Sequence, residues 1–296
     1  MVNIVLHSRL RARSPSSSET PTIVPRVLAI ANQKGGVGKT TSAVNLAASL
    51  AVAEYRTLLI DADPQGNATS GIGLTHDRFE NTTYDVLLGD ATAEESIVRS
   101  VQFPLLDVLP ATADLAGAEI ELVGKSRREH KMRDAIATLK SQYQYILIDC
   151  PPSLGLVTIN MLTAADALLI PVQCEYYALE GLSQLLNTVH VVQQGLNPSL
   201  GIDGVLLTMY DARLNLSRQV ASDAREYFGS TVFRAHIPRN VRLAEAPSFG
   251  KPIILYDLQS VGAQAYLAVA KEMIERQQPP APDGGERAPR TLRART

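Results

Sequence analysis

A chain of 296 residues, 45% hydrophobic and 20% charged, can bury a globular core without disulfides or metal staples. Its net charge of −2 excludes a polycation, so any nucleic-acid binding has to come from a local basic patch. No apolar run approaches the roughly 20 residues of a membrane span. The two cysteines, Cys150 and Cys174, lack paired spacing, which argues for a reducing, cytoplasmic compartment and against a metal cluster held by one chain.

Residues 1–24 read as a disordered extension: Ser14-Pro15-Ser16-Ser17-Ser18 is low-complexity, and Pro21 and Pro25 break regular structure. The segment carries arginines but no secretory h-region, and only its Arg- and Ser-rich, acid-poor character faintly resembles a transit peptide. One domain is expected over 25–276. Val27 to Ala31 is a buried strand, followed by a glycine-rich turn and a helix over Ser42 to Ala53. Strands are further predicted over Arg56–Asp61, Leu105–Leu109, Tyr145–Asp149, Ala167–Val172, Gly204–Met209 and Val232–Ile237. Helices fall over Tyr84–Leu88, Asp114–Val123, Arg127–Leu139, Tyr177–Val192, Leu216–Tyr227 and Gly262–Arg276. From Gln277 the chain reads as a flexible Pro-, Gly- and Arg-rich tail, 277–296. Strands alternate with helices, and the strands are continuously apolar. That pattern predicts an α/β fold, a mostly parallel sheet covered by helices on both faces. Ligands of such sheets bind at the carboxyl ends of the strands, so the loops after Ala31, Asp61, Asp149, Met209 and Ile237 should converge.

The strongest signal is Lys34-Gly35-Gly36-Val37-Gly38-Lys39-Thr40-Thr41 between a strand and a helix. Gly35, Gly36 and Gly38 let backbone N–H groups curl around an anion, and the helix beginning near Gly38 adds its positive dipole end. Lys39 is placed to reach the β- and γ-phosphates, and Thr40 offers a hydroxyl to Mg²⁺. Asp149 ends an apolar strand, where a carboxylate is costly unless it meets a cation or donors; in a phosphate-binding-loop protein the expected partner is Mg²⁺. Asp61 and Asp63 close the second strand before Pro64.

The loop departs from the general P-loop pattern: Gln33 stands at the first glycine position and a second lysine, Lys34, follows it. With it stand Asp61-Ala62-Asp63-Pro64-Gln65-Gly66-Asn67, Ile148-Asp149-Cys150-Pro151-Pro152-Ser153, Pro171-Val172-Gln173-Cys174-Glu175-Tyr176-Tyr177-Ala178-Leu179-Glu180-Gly181 and Ile237-Pro238-Arg239-Asn240. Together these resemble the ParA/MinD class of deviant Walker A P-loop ATPases, and within it the chromosomal ParA/Soj subgroup, over about Arg26 to Arg276. The resemblance implies a P-loop NTPase fold, ATP and Mg²⁺ as ligands, and nucleotide contacts from Lys34, Gly35, Gly36, Val37, Gly38, Lys39, Thr40 and Thr41. It implies that Lys34 crosses a dimer interface to the partner's nucleotide, that Asp63 orients the attacking water, that Thr40 and Asp149 serve the metal with Asp61 behind them, and that Met209, Pro238 and Asn240 lie against the adenine. Met209 could equally be core filler. It further implies an ATP-dependent homodimer, non-specific DNA binding through Arg213, Arg239 and Arg242, a ParB/Spo0J-like centromere-binding partner and a nucleoid-associated location. Each phosphate contacted would steepen the salt dependence by about 0.9 in log–log slope.

Rival readings differ in specific residues. A MinD-like membrane switch wants an apolar, basic amphipathic C-terminal helix, and residues 277–296 hold four prolines and a single leucine. An iron–sulfur relative wants cluster cysteines, for which Cys150 and Cys174 are a poor substitute. A bacterial tyrosine kinase wants a tyrosine-rich tail, and this tail has none. A protein-cluster-positioning ATPase, or a nucleotide-held interaction module with negligible hydrolysis, shares the same loop residues.

Overall fold

A computed structural model describes residues 25–175 and 182–277; the expectations for the N-terminal extension, the tail and the first turn of the helix from Tyr177 lie outside them. Six strands form one parallel sheet: β1 (Arg26–Ile30), β2 (Thr57–Asp61), β3 (Leu106–Leu109), β4 (Tyr145–Asp149), β5 (Ala167–Gln173) and β6 (Gly201–Thr208). Their spatial order is β3-β2-β4-β1-β5-β6, every pair parallel.

Continuous apolar runs become two-faced strands because successive side chains point to opposite sides. Val27 and Ala29 enter one core with Leu58, Ile60, Ile146 and Ile148. Leu28 and Ile30 enter the other with Leu59, Leu147 and Leu169. The first face is covered by α3 (Thr83–Leu88), α5 (Leu115–Glu121), α6 (Lys131–Ile136), α7 (Leu156–Ala164), α8 (Leu182–Gly195) and α9 (Asn215–Phe228). The second is covered by α1 (Lys39–Val52), α2 (Asn67–Gly71), α11 (Ile253–Tyr256) and α12 (Val261–Gln277). Two short helices, α4 (Ala93–Ser96) and α10 (Val241–Glu245), lie in the connections.

Two sequence expectations are corrected, and one helix is new. Val232–Ile237 is not a strand. It touches β6 through Phe233 N–H to Val205 O (3.0 Å) and Ile237 N–H to Leu207 O (2.8 Å), with isolated bridges at Val232 and Pro238. Between those contacts the N–H groups of Arg234 and Ala235 donate to the Glu272 carboxylate of α12, at 3.0 and 3.1 Å. A side chain thus takes the bonds a ladder would use. Arg276 stacks over the Phe233 ring (4.0 Å) and donates to the carbonyls of Asp203, Thr231 and Val232, which fastens the segment. The helix expected over Arg127–Leu139 is shortened to α6 after a single 3₁₀ turn, with Arg127 at φ 51°. α7 had no counterpart among the predicted elements.

Gly204 has no room for a side chain, because an added Cβ would fall inside the Phe233 ring. Gly204→Ala is expected to cost about 1–3 kcal/mol through overpacking, read as a lower urea midpoint with an unchanged m-value.

Candidate nucleotide-binding site

The expected loops do converge at the carboxyl edge of the sheet. β1 delivers the glycine loop at the centre, where connections leave to both sides. Gly36 (φ 73°) and Gly38 (φ 87°) take left-handed backbone that a side chain would strain. Gly38 caps α1, and the Ser42 N–H donates to its carbonyl at 2.9 Å. The loop is pinned from outside by residues that motif reading missed. Thr208 at the end of β6 donates its hydroxyl to Val37 O (2.8 Å). Asn32 donates to Pro171 O (2.7 Å) and accepts from the Lys34 N–H (3.0 Å). Lys39 is buried, and its ammonium donates to Lys34 O at 3.2 Å, arching across the loop. Burial holds the Lys39 amine below its ordinary pKa, opposed by the carboxylates of Asp149 and Asp63.

Register sets the acidic side of the site. β2 and β4 are neighbours, and Asp61 and Asp149 are direct Cα partners at the ends of their strands. Two buried carboxylates therefore stand side by side. Asp61 is well served: it accepts from the Thr69 N–H (2.8 Å), the Thr69 hydroxyl (2.7 Å) and the Asp63 N–H (3.1 Å). Asp149 has no hydrogen-bond partner on either oxygen. Thr40 lies close enough to bias Asp149 downward without a bond of ordinary geometry. Burial, then the neighbouring Asp61 charge, drives Asp149 well above the usual carboxylate range. Burial raises Asp61 to about 6 in spite of its donors.

A buried, donor-starved carboxylate is explained by a cation that belongs there. No cluster of three or more His, Cys, Asp or Glu side chains suited to a metal occurs among the described residues. Mg²⁺ does not need one, since it keeps waters and takes phosphate oxygens with one or two protein ligands. Thr40 and Asp149 fit that role, with Asp61 fixed behind them by Thr69. Cys150 and Cys174 are both buried and free, and burial pushes both thiols up.

This geometry has a pH signature. A carboxyl whose folded pKa is raised stabilises the fold below its unfolded value near 3.8, and that contribution is lost as pH rises through the folded value. Without nucleotide, Asp149→Asn is expected to gain stability over wild type progressively as pH rises from 4 to 8, because only the wild type must ionise a buried carboxyl. The gap should close toward pH 4. Melting temperatures between pH 4 and 8 check this.

Asp63 is buried beside the pair, its Oδ1 accepting from the Gln65 N–H at 2.9 Å. Met209 (φ 51°) lies between the Thr208 that holds the loop and Tyr210, which bridges Pro238 and donates its N–H to Ile237 O (3.0 Å). Asn240 already uses its side-chain oxygen to cap α10, accepting from the Arg242 N–H at 2.8 Å. Glu119, also missed, accepts from Leu156 N–H (2.7 Å) and Val157 N–H (3.2 Å) and so caps α7, just beyond the loop that follows Asp149.

The three arginines are exposed: the loops of Arg213 and Arg239 are joined through Arg239 N–H to Tyr210 O (3.4 Å), and Arg242 stands in α10 just after them. Each has an acidic neighbour: Arg213 with Asp211 (2.7 Å), Arg239 with Glu175 (2.9 Å), Arg242 with Glu245 (2.9 Å) and Asp257 (3.6 Å). The Arg213 hydrogen bonds pull Asp211 down to about 2. Arg213 is 88% exposed, so its pair is a weak surface one that a phosphate could displace.

A parallel sheet with this loop, a buried lysine arched over it and a buried carboxylate without donors beside it defines a P-loop nucleotide-binding protein. The family model of the AAA domain matches residues 25–202. The chromosome partitioning protein ParA of Myxococcus xanthus is 57% identical over 259 residues, which cover 88% of this chain and 91% of that protein. The sporulation initiation inhibitor protein Soj of Bacillus subtilis is 59% identical over 248 residues, 84% of this chain and 98% of that one. A Mycobacterium smegmatis structure described as cobyrinic acid a,c-diamide synthase with bound ADP and magnesium superposes at a TM-score of 0.74 with 39% identity, covering 85% of this chain and 95% of that one. The chain belongs to the ParA/Soj family of chromosome-partitioning ATPases. No helix among the described residues is long and apolar enough to cross a membrane.

Proposed function

We propose that this ATPase closes on Mg–ATP as a homodimer, that the dimer binds DNA without reading sequence, and that a ParB-like centromere-binding protein stimulates an otherwise slow hydrolysis. The cycle segregates chromosome or plasmid DNA over the nucleoid. Lys34 carries the reading. Its carbonyl is engaged by Lys39 within the same loop, while its own ammonium forms no ion pair among the described residues. A lysine at the mouth of a triphosphate site with its charge uncommitted suits a ligand that arrives with another subunit. Within one subunit, Lys39 and the Gly35–Thr41 amides would bind the phosphates, and Asp63 would orient the attacking water. Mg²⁺, when bound, neutralises charge on the β- and γ-phosphates. Arg213, Arg239 and Arg242 would exchange their carboxylate partners for DNA phosphates, which makes binding steeply salt-dependent.

The test is ATP turnover measured alone, with duplex DNA, with a ParB-like protein, and with both. More-than-additive stimulation by the two together is expected. Turnover indifferent to both would overturn the partition reading while leaving the ATPase intact.

A further inference from the structure

Three residues with left-handed backbone meet where no nucleotide or DNA contact is expected. They are Gly73 (φ 85°), just after α2; Gly250 (φ 60°), closing the 3₁₀ turn Ala246–Phe249; and Gln102 (φ 62°), in the turn before β3. The two glycines touch backbone to backbone. A Cβ on Gly73 would lie 2.6 Å from Gly250 O, and one on Gly250 would lie 2.8 Å from Gly73 Cα. Gln102, a residue for which this backbone is costly, inserts its carboxamide between the same two segments. Its Nε2 donates to Ile72 O (3.0 Å) and to Gly250 O (3.2 Å).

Each segment leads to a different site. Upstream of Gly73, α2 is fixed to the acidic pair through Thr69, which donates twice to Asp61 and accepts from the Ala111 N–H at 2.9 Å. Upstream of Gly250, the Ala246–Phe249 turn continues directly from α10, which carries Arg242. A second tie runs in parallel. Asn45 of α1 donates to Thr41 O (2.8 Å) and accepts from the Ile253 N–H (2.7 Å). The segment bearing Arg242 is therefore clamped to both elements that hold the phosphate side of the nucleotide site.

We propose that Gln102 is a positioning residue that locks the Ala246–Gly250 turn to the loop after α2, so that ordering of the Asp61–Asn67 segment by nucleotide is passed to the segment carrying Arg242. Its consequence for DNA rests on the proposed role of Arg242; its test does not. Gln102 is exposed and touches no nucleotide-binding candidate, so Gln102→Met removes both donor bonds without opening the core.

The readout is amide exchange at Gly250 and Lys251, whose N–H groups donate to Pro247 O (2.9 Å) and Ala246 O (3.3 Å). A hydrolysis-resistant ATP analogue with Mg²⁺ should slow exchange there roughly tenfold in wild type. In Gln102→Met the nucleotide-dependent slowing should fall below about twofold, with analogue affinity unchanged. A merely structural role would raise exchange equally with and without nucleotide and would overturn the proposal. So would a wild type whose exchange at these amides ignores nucleotide, or a Gln102→Met that keeps the full effect. Duplex DNA binding is measured in the same samples. Transmitted protection in a protein that does not bind DNA would support the lock and sink the DNA reading. Loss of both protection and DNA affinity in the variant would support both.

Discussion

Asp63→Ala is expected to lower ATP turnover by roughly a hundredfold or more while leaving nucleotide affinity within a few-fold. Asp63 follows β2 by two residues and is buried, yet its backbone and side chain are occupied with shaping the turn. Its N–H donates to Asp61 (3.1 Å) and its Oδ1 accepts from Gln65 N–H (2.9 Å). Its charge partly offsets the burial that lowers the pKa of the Lys39 amine, so it stands near that ammonium. An interaction used only while the attacking water is being aligned lowers kcat and kcat/KM together. A residue that merely formed the turn would disturb α2 and its hold on Asp61, and would lower affinity and melting temperature instead. Asp63→Asn separates the two, because an amide oxygen can still accept from Gln65. Low turnover with normal affinity and melting in both variants assigns Asp63 to the reaction; wild-type turnover in Asp63→Asn removes it.

The central sheet and the glycine loop could be read from residues because their signals are local. Val27–Ala31 and Tyr145–Asp149 are unbroken apolar runs, and Gly35, Gly36, Gly38 and Lys39 stand at phosphate-loop spacing between a strand and a helix. Elements decided by distant partners were not legible. The N–H groups of Arg234 and Ala235 are claimed by Glu272, which lies 38 and 37 positions away, so Val232–Ile237 carries a strand's composition without its ladder. α7 is buried on nearly every side, Thr158, Asn160 and Thr163 included, and a helix without a solvent face has no periodicity to detect. In the site, Asp61 and Asp149 were separate candidates until register placed them side by side. Thr69, which donates twice to Asp61 and leaves Asp149 without a donor, is an ordinary threonine in sequence. The acidic partner of Arg239 was likewise invisible, since Glu175 is 64 positions away.

Lys34→Ala is expected to abolish nucleotide-driven dimerisation while sparing nucleotide binding by the single subunit. The loop uses Lys34 through its backbone: its N–H donates to Asn32 (3.0 Å) and its carbonyl accepts from the Lys39 ammonium (3.2 Å). Alanine keeps both contacts, so the phosphate cradle should survive. What is removed is the ammonium, which forms no ion pair among the described residues and is proposed to meet the partner's triphosphate. Truncating one member of a buried charged pair across an interface costs about 2–5 kcal/mol, so the dimer constant should weaken by roughly thirtyfold or more. Light scattering with a hydrolysis-resistant analogue measures it directly: wild type should double in mass, and Lys34→Ala should stay monomeric with its analogue affinity within about threefold of wild type. A variant that doubles as readily would place the Lys34 ammonium in solvent in the closed state. A variant that loses analogue affinity instead would make it a ligand of its own subunit's nucleotide.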